Sequence, residues 1–354
     1  MRKILLKMSI NKRIIAFVEL GNLLKQFSNS ESKKKSANSF KNVIQQASSY
    51  NEWFTENNIN YALNAIADSL TEKNIKIWLD KYKDIGTYNS SKKVAIIMAG
   101  NIPLVGFHDL MCVLISGHKA IVKQSSKDDV LIKGIMDLLI SIEPEFNDFV
   151  QFTEERLTSF DAVIATGSTN SSRYFEFYFG KYPNIIRKNR NSIAVLTGNE
   201  TKEELEQLAE DIFLYFGLGC RNVSKLFIPD NFDVDRFFKA IYKYKDAINH
   251  NKYANNYTYN RSIYLMSKVD FLENGFLVLK EDLGMSSPIS VIFYERYSKL
   301  ETIKDRLQID KENIQCVVSN EKELTNRVAF GEAQNPQLWD YADNVDTLEF
   351  LLSL

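Results

Sequence analysis

The chain has 354 residues, of which 45% are hydrophobic and 25% charged, so it can bury more than one core and is not a disordered protein. Its 44 Lys and Arg residues nearly balance its 45 Asp and Glu residues, which excludes a generally basic protein that binds nucleic acid nonspecifically. Three cysteines without a C-x-x-C pair exclude a disulfide framework, and with only three histidines beside them we expect no metal site.

The sequence contains no apolar run of about 18 residues, the length that a membrane-spanning helix needs. The apolar run at the N-terminus is interrupted by Lys7, which leaves it too short for the core of a signal peptide. We therefore expect a cytoplasmic protein without a transmembrane segment.

The N-terminal part of the chain has a helical pattern. Apolar residues recur at helical spacing over 10–27, which predicts an amphipathic helix. The polar segment 28–39 follows, and we expect it to be a solvated loop. Residues 40–80 predict two or three further helices.

Short, continuous apolar runs begin near residue 94, and they alternate with helical patterns. Such runs are typical of parallel strands that are buried on both faces, so the alternation predicts βαβ units and a mostly parallel sheet. The predicted strands are 94–101, 119–126, 148–153, 161–168 and 192–198. The predicted helices between them are 107–116, 128–142 and 171–179, with Gly117 as the residue that ends the first.

A second α/β region follows. It opens with a predicted helix over 201–216 and a strand at the end of 217–229, and it continues with strands over 289–295 and 314–320. No Pro-, Gly- or Ser-rich linker separates the two regions, so we place a soft boundary near residue 198.

Cys220 is the first candidate for a chemical role. It lies in the segment Gly217-Leu218-Gly219-Cys220-Arg221-Asn222, where the glycines allow a substrate to approach the backbone and Arg221 would favour a thiolate. The alternative is a small buried apolar side chain, as most free cysteines are. Cys112, in a helix, and Cys316, in a strand, are predicted to be core residues.

Two strand ends carry residues that suit a nucleotide. Thr166, Gly167 and Ser168 lie where one strand ends and a helix begins. At such a helix start the backbone N–H groups can bind a pyrophosphate, and the alternative is that Ser168 only caps the helix. Lys123 ends another strand and is followed by Ser125, and a cation beside hydroxyls suits a phosphate, which favours NADPH over NADH. The alternative for Lys123 is a solvated lysine.

Asn101 and Glu281 are weaker candidates. Asn101 ends the first strand before a tight turn, where its amide is either an oxyanion donor or part of an Asx-turn. Glu281 is, from its local sequence, one carboxylate among many. The three histidines have no acid–nucleophile arrangement beside them and are interpreted as structural.

In order along the chain, these motifs resemble the aldehyde dehydrogenase superfamily. The segments 100–128, 216–229 and 330–351 are similar to the acyl-CoA reductases of the LuxC type, the fatty-acid reductase components of bacterial luminescence systems. The resemblance implies an aldehyde-dehydrogenase-like α/β fold with a doubly wound, mostly parallel cofactor domain and a smaller α/β catalytic domain. We expect these domains at 1–197, completed by 330–354, and at 198–329, with the active site in the cleft between them.

The resemblance also assigns catalytic roles. Cys220 matches the acylated nucleophile, and Asn101 matches the amide that forms the oxyanion hole with the Cys220 N–H. Hydrolytic aldehyde dehydrogenases carry Glu-Leu-Gly-Gly-Lys where this chain has residues 187–191, and Arg187 lies near the place of their water-activating glutamate. An arginine cannot act as a base at neutral pH, so the departure favours reduction of an activated acid over hydrolysis.

For the cofactor, the resemblance assigns Lys123 to the adenosine ribose or its 2′-phosphate, Gly167 and Ser168 to the pyrophosphate, and Glu281 to the nicotinamide ribose. The implied function is an NADPH-dependent reductase that converts a long-chain acyl-CoA or acyl-protein thioester to the aldehyde. Reduction of short or phosphorylated acyl groups, a non-reducing acyltransferase or thioesterase, and an inactive partner subunit remain as alternatives. We also expect a homo-oligomer and an acyl-activating enzyme as a partner.

Overall fold

The computed structural model describes residues 8–28, 35–83, 85–86 and 91–354. Its residues form two units, each of which has its own sheet. The first unit contains the described residues up to Lys188 together with Gln337–Leu354, and the second unit is Asn189–Pro336.

The first unit surrounds a parallel sheet with helices. The helices are α1 Ile10–Ser28, α2 Lys35–Tyr50, α3 Glu56–Ser69, α4 Glu72–Leu79, α5 Phe107–Ser116, α6 Leu131–Ile142, α7 Thr169–Phe179 and α12 Thr347–Leu352. The strands are β1 Lys93–Ile97, β2 Lys119–Lys123, β3 Val150–Phe152, β4 Ala162–Thr166 and β5 Asn184–Arg187.

Within the described residues, every strand pair of this sheet is parallel, in the order β3-β2-β1-β4-β5. The chain leaves the central strand β1 toward β2 on one side and returns to β4 on the other. In open α/β sheets, the crevice at this change of direction is where ligands bind, outside the carboxyl ends of the strands. The turns that follow β1 and β4 therefore lie at the edge where open α/β sheets bind ligands.

The C-terminal segment returns to the first unit, where α12 packs on α5. The His118 Nε2 atom lies 2.8 Å from the Leu351 carbonyl oxygen, and its Nδ1 atom accepts a hydrogen bond from the Lys92 N–H at 3.1 Å. Because Nδ1 is an acceptor, Nε2 carries the proton and donates to Leu351. His118 is thus a structural histidine, as the sequence predicted.

The second unit has these helices: α8 Lys202–Phe213, α9 Val234–Ile241, α10 Asn251–Met266 and α11 Leu300–Ile309. Its strands are β6 Asn191–Val195, β7 Val223–Pro229, β8 Leu272–Glu273, β9 Val278–Glu281, β10 Val291–Tyr297, β11 Ile314–Val318 and β12 Arg327–Val328. The sheet has the order β12-β11-β6-β7-β10-β9-β8, and β8 runs antiparallel to β9.

The two units divide earlier than the boundary suggested near residue 198. Strand β6 pairs with β7 and β11 of the second sheet, so the division in the structure follows Lys188. The predicted strands and helices of 94–198 are otherwise found, with Gly117 ending α5 in a left-handed conformation at a φ of 87°. The pattern missed β5, and it placed the start of α6 at Asp128, three residues before the observed start.

The α/β fold with a mostly parallel sheet is confirmed in both units. The predicted loop 28–39 lies partly outside the described residues, and the chain is already helical from Lys35. In the part of the chain that the structure describes, no helix is both long and apolar enough to cross a bilayer.

Candidate active site

Cys220 lies in the second unit, in the short connection between the end of α8 and the start of β7. Its side chain is half-buried, whereas Cys112 and Cys316 are both buried, as predicted. Burial raises the pKa of the Cys112 thiol, and burial also raises the pKa of the Cys316 thiol to about 11. Of the three cysteines, Cys220 is therefore the one whose thiol is not buried.

The connection before Cys220 is an unusual turn. Tyr215, Phe216 and Gly217 have φ values of 53°, 56° and 77°, so three successive residues adopt the left-handed conformation. This conformation is costly for residues other than glycine and persists only where surrounding contacts hold it. The chain therefore reverses within a few residues after α8 and presents Cys220 at the amino-terminal edge of the sheet.

Asn222 supplies the contacts that hold this turn. Its Oδ1 atom accepts a hydrogen bond from the Gly219 N–H at 2.7 Å, and its Nδ2 atom donates to the carbonyl oxygens of Leu214 at 2.8 Å and Asp211 at 3.0 Å. The Asn222 side chain is only 2% exposed. One buried amide thus ties the end of α8 to both sides of the Cys220 loop.

Asp211 connects the same region to a later segment. It is fully buried, and its carboxylate oxygens accept hydrogen bonds from the Gly331 N–H at 2.7 Å and the Ala333 N–H at 3.0 Å. Burial raises the pKa of Asp211 to about 7, and the two backbone hydrogen bonds act in the opposite direction. Arg221, whose side chain was expected to favour a Cys220 thiolate, has its Nη1 atom 3.5 Å from the Ala333 carbonyl oxygen.

In the first unit, Asn101 lies in the turn between β1 and α5 and is half-buried. Leu104 of this turn has a φ of 58°, and its N–H donates to the Asp128 carboxylate at 2.9 Å. Asp128 is buried, which raises its pKa to about 6. The Asp128 carboxylate therefore holds the turn that carries Asn101.

The loop after β2 lies against this turn. A Cβ atom on Gly100 would come within 2.6 Å of the Ser125 Oγ atom, so the glycine is what allows the two loops to approach. Lys123, at the end of β2, donates from Nζ to the Glu155 carbonyl oxygen at 3.1 Å. The structure thus brings together Asn101, Lys123 and Ser125 at the carboxyl edge of the first sheet.

A cleft of about 410 Å³ opens at this edge. The residues that line it are Lys123, Gln124, Ser125, Ser126, Asp129, Lys133, Phe152, Thr153 and Glu154. Ammonium groups and hydroxyls fit a phosphate, and carboxylates fit ribose hydroxyls, so this set of donors and acceptors fits the adenosine end of a nucleotide. The two carboxylates of the cleft are those of Asp129 and Glu154.

The turn after β4 is built as a helix start. Ser168 caps α7, because its side chain accepts the Ser171 N–H at 3.2 Å. A Cβ atom on Gly167 would lie 2.8 Å from the ring of Phe175 and 2.9 Å from the Cβ of Ser171. Capping is thus shown, while the pyrophosphate role of Thr166, Gly167 and Ser168 stays a prediction.

Glu281 lies elsewhere in the second unit. It is exposed at the end of β9, directly opposite Tyr294 of β10. The Tyr294 hydroxyl donates a hydrogen bond to Glu281, and the pKa of Tyr294 is raised by burial and by this carboxylate. Glu281 pairs with Tyr294 of β10, and Tyr294 pairs with Leu226 of β7. Glu281 is therefore two strands away from β7, at the level of a residue three positions after the start of β7. The structure therefore does not bring Glu281 beside the Cys220 loop, and its assignment to the nicotinamide ribose stays a prediction.

Sequence reasoning missed Asn222, Asp128 and Asp211, whose side chains hold the loops of the candidate residues. An Asn two residues after a candidate nucleophile is a usable signal, because Asn side chains bind nearby backbone groups in turns. Asp211 gives no such signal, since the partners of its carboxylate lie more than a hundred residues away.

The sequence is similar to a known protein family and to one curated protein. The family profile for acyl-CoA reductase (LuxC) matches residues 12–251, which is more than half of the chain. A curated protein, long-chain acyl-protein thioester reductase 2 of Photobacterium leiognathi, is 21% identical over 170 residues, which cover 43% of this chain and 36% of that relative. The matched part therefore spans only about a third of the relative's length.

Solved structures show the fold. Aldehyde dehydrogenase 21 of Physcomitrella patens, in complex with succinate, has a TM-score of 0.66 at 11% identity over 98% of this chain and 84% of that chain. The NADP-dependent glyceraldehyde-3-phosphate dehydrogenase of Bacillus halodurans C-125, complexed with NADP, has a TM-score of 0.60 at 12% identity over 89% and 74%. The aldehyde-dehydrogenase-like fold expected from the sequence is thereby confirmed.

Proposed function

Since the chain belongs to the acyl-CoA reductase (LuxC) family, we propose that it reduces a long-chain acyl-CoA or acyl-protein thioester to the aldehyde, with NADPH and through an acyl-cysteine intermediate. The observation that carries the proposal is the state of the three thiols. Cys220 is half-buried on a loop that buried side chains hold, whereas Cys112 and Cys316 are buried with raised pKa values.

The proposed reaction begins with acylation. The Cys220 thiolate attacks the thioester carbonyl, and the carrier thiol leaves as the acyl-enzyme thioester forms. Asn101 is assigned, from the resemblance alone, as an oxyanion donor together with the Cys220 N–H. Collapse of the reduced adduct releases the aldehyde and returns the Cys220 thiol.

A nicotinamide cofactor would supply, when bound, the hydride that reduction of a thioester requires. The cleft of Lys123 and Ser125 is the proposed place for its adenosine end, and the ammonium, hydroxyl and carboxylate groups that line the cleft support this proposal. The preference for NADPH rests on Lys123 and the neighbouring hydroxyls. Glu281 is kept as a proposed ligand of the nicotinamide ribose, without support from its position.

Arg187 supports reduction over hydrolysis. It is buried, it forms an ion pair with Asp109, and it donates from Nη2 to the Thr347 hydroxyl at 2.8 Å. A guanidinium in an ion pair stays protonated, so it cannot remove a proton from water. The residue near the place of the water-activating glutamate is therefore a fixed structural cation.

The test mixes purified protein with a long-chain acyl-CoA and follows the loss of NADPH absorbance. In parallel, intact-mass spectra without cofactor look for an acyl adduct, and peptide mapping locates it. We expect NADPH consumption and an adduct on Cys220, which C220A loses and the buried-cysteine control C112A keeps. An adduct in C220A would move the nucleophile elsewhere.

The other outcomes separate the alternatives. An adduct without NADPH consumption indicates an acyltransferase or thioesterase, and a preference for short or phosphorylated acyl groups indicates a different reductase. N101A is expected to lose about a hundredfold in rate, since one oxyanion donor contributes about 2.7–4 kcal/mol. A near-full rate in N101A would refute its assignment.

Two partner proposals go with this function. The resemblance implies an acyl-activating enzyme that delivers the acyl group, and we also propose a homo-oligomeric state. Light scattering of the purified chain measures the second directly, and a monomer at all concentrations would contradict it.

A further inference from the structure

Ser192 links two of the three cysteines of the chain. It is the second residue of β6, it is fully buried, and its Oγ atom lies 3.1 Å from the Cys220 carbonyl oxygen and 3.0 Å from the Cys316 Sγ atom. Ser192 and Cys220 lie at the same edge of the sheet, because β6 and β7 are parallel and both residues lie near the start of their strands.

The protons in this chain of contacts have one consistent arrangement. The Cys220 carbonyl oxygen can only accept, so the single hydroxyl proton of Ser192 must be donated to it. The Ser192 oxygen then has only lone pairs to offer Cys316, so the Cys316 thiol must be the donor to Ser192. Hydrogen bonding thus runs from Cys316 through Ser192 to the Cys220 backbone.

Cys316 is suited to act as this donor. It is 1% exposed, and burial raises its pKa to about 11, so the thiol keeps its proton at neutral pH. A thiol that stays protonated is a poor nucleophile but a lasting hydrogen-bond donor.

We propose that Ser192, held in place by Cys316, is a positioning residue for the Cys220 nucleophile. The Ser192 hydroxyl donates a hydrogen bond to the backbone carbonyl of Cys220. On the N-terminal side of Cys220, the Asn222 side chain accepts a hydrogen bond from the Gly219 N–H. The backbone on both sides of Cys220 is therefore fixed, which sets the direction of its side chain and of its N–H. The inference rests on the proposed function, because it takes Cys220 as the nucleophile.

Single-turnover acylation by palmitoyl-CoA, followed by intact mass, tests the inference. We expect S192A to lower the limiting acylation rate about tenfold with an unchanged half-saturating concentration, because the loop is misplaced while the acyl site is intact. S192T keeps a hydroxyl and should recover most of the rate.

S319A is the matched control. Ser319 is also fully buried in the second unit and donates to a β6 carbonyl, that of Val195 at 2.8 Å, but this carbonyl lies at the other end of the strand. We expect its limiting rate to stay within about twofold of the unaltered chain. Equal limiting rates for S192A and S319A would overturn the inference and leave Cys220 as the nucleophile.

C316A provides a second route to a decision. It leaves the bond from Ser192 to Cys220 but removes the donor that orients the Ser192 hydroxyl, so a loss of about threefold is expected. If circular dichroism shows that S192A does not fold, C316A decides alone, and an unchanged limiting rate in it overturns the inference. Absence of any adduct on Cys220 in the unaltered chain would refute the proposed nucleophile and the inference together.

Discussion

Replacing Asn222 by alanine should release the loop that carries Cys220. The amide makes its shortest hydrogen bonds to the Gly219 N–H and the Leu214 carbonyl, at 2.7 and 2.8 Å, and the side chain is buried. A buried polar group that loses its partner costs about 1–3 kcal/mol, so the two groups together predict a loss of about 2–6 kcal/mol of local stability. The turn that contains the left-handed residues Tyr215 and Phe216 would then lose the hydrogen bonds that tie its two ends together, while the ring contact between Phe216 and His250 would remain.

Hydrogen exchange of the peptide that spans 214–222 measures this loss directly. A loss of 2 kcal/mol corresponds to about a 30-fold fall in protection. N222D is a second probe, since its carboxylate still accepts from Gly219 but cannot donate to Leu214 and places a charge against carbonyl oxygens. The control is N320A, at an exposed asparagine of the same unit, with an expected change within about 0.5 kcal/mol. Protection of 214–222 in N222A equal to that in N320A would refute the reasoning.

Three further predictions follow from buried contacts. The pKa of Asp211 rises from an ordinary 3.8 to about 7 in the folded chain, so the contribution of Asp211 to stability falls as the pH rises through that window. In urea unfolding, the free energy of unfolding should therefore differ less between pH 5 and pH 8 in D211N than in the unaltered chain. An unchanged pH dependence in D211N would contradict this. G100A should lower the midpoint of thermal unfolding, because the added Cβ atom would lie 2.6 Å from the Ser125 Oγ atom. The double variant G100A/S125G should regain part of that midpoint, whereas additive losses would argue against the clash. R187M should lower the free energy of unfolding by about 3–5 kcal/mol, because it leaves the Asp109 carboxylate buried and unpaired. Adding D109N to R187M should recover part of that loss in urea unfolding, and no recovery would show that the ion pair is not the cause.

Local sequence was enough for most elements of the first unit. Strands β1, β2 and β4 are continuous apolar runs, α5 is an apolar helix, and Gly117 ends it, because each of these features depends on residues that are neighbours in the chain. The order of motifs also identified the family, and Cys220 and Lys123 were selected by their local context. Buried cysteines 112 and 316 were predicted from the apolar elements around them.

The tertiary structure decided the features that depend on distant residues. The run at 192–195 reads as a strand in either sheet, and only its pairing with β7 and β11 puts it in the second unit. Asp211 and the 331–333 segment, or Ser192 and Cys316, are more than a hundred residues apart, so no local pattern reveals them. The sequence by itself determined most of the elements of the first unit and which residues were candidates for a chemical role, because propensity and hydrophobic periodicity are local. Only the tertiary structure decided how Cys220 is held, because buried polar groups must find hydrogen-bond partners wherever the fold places them.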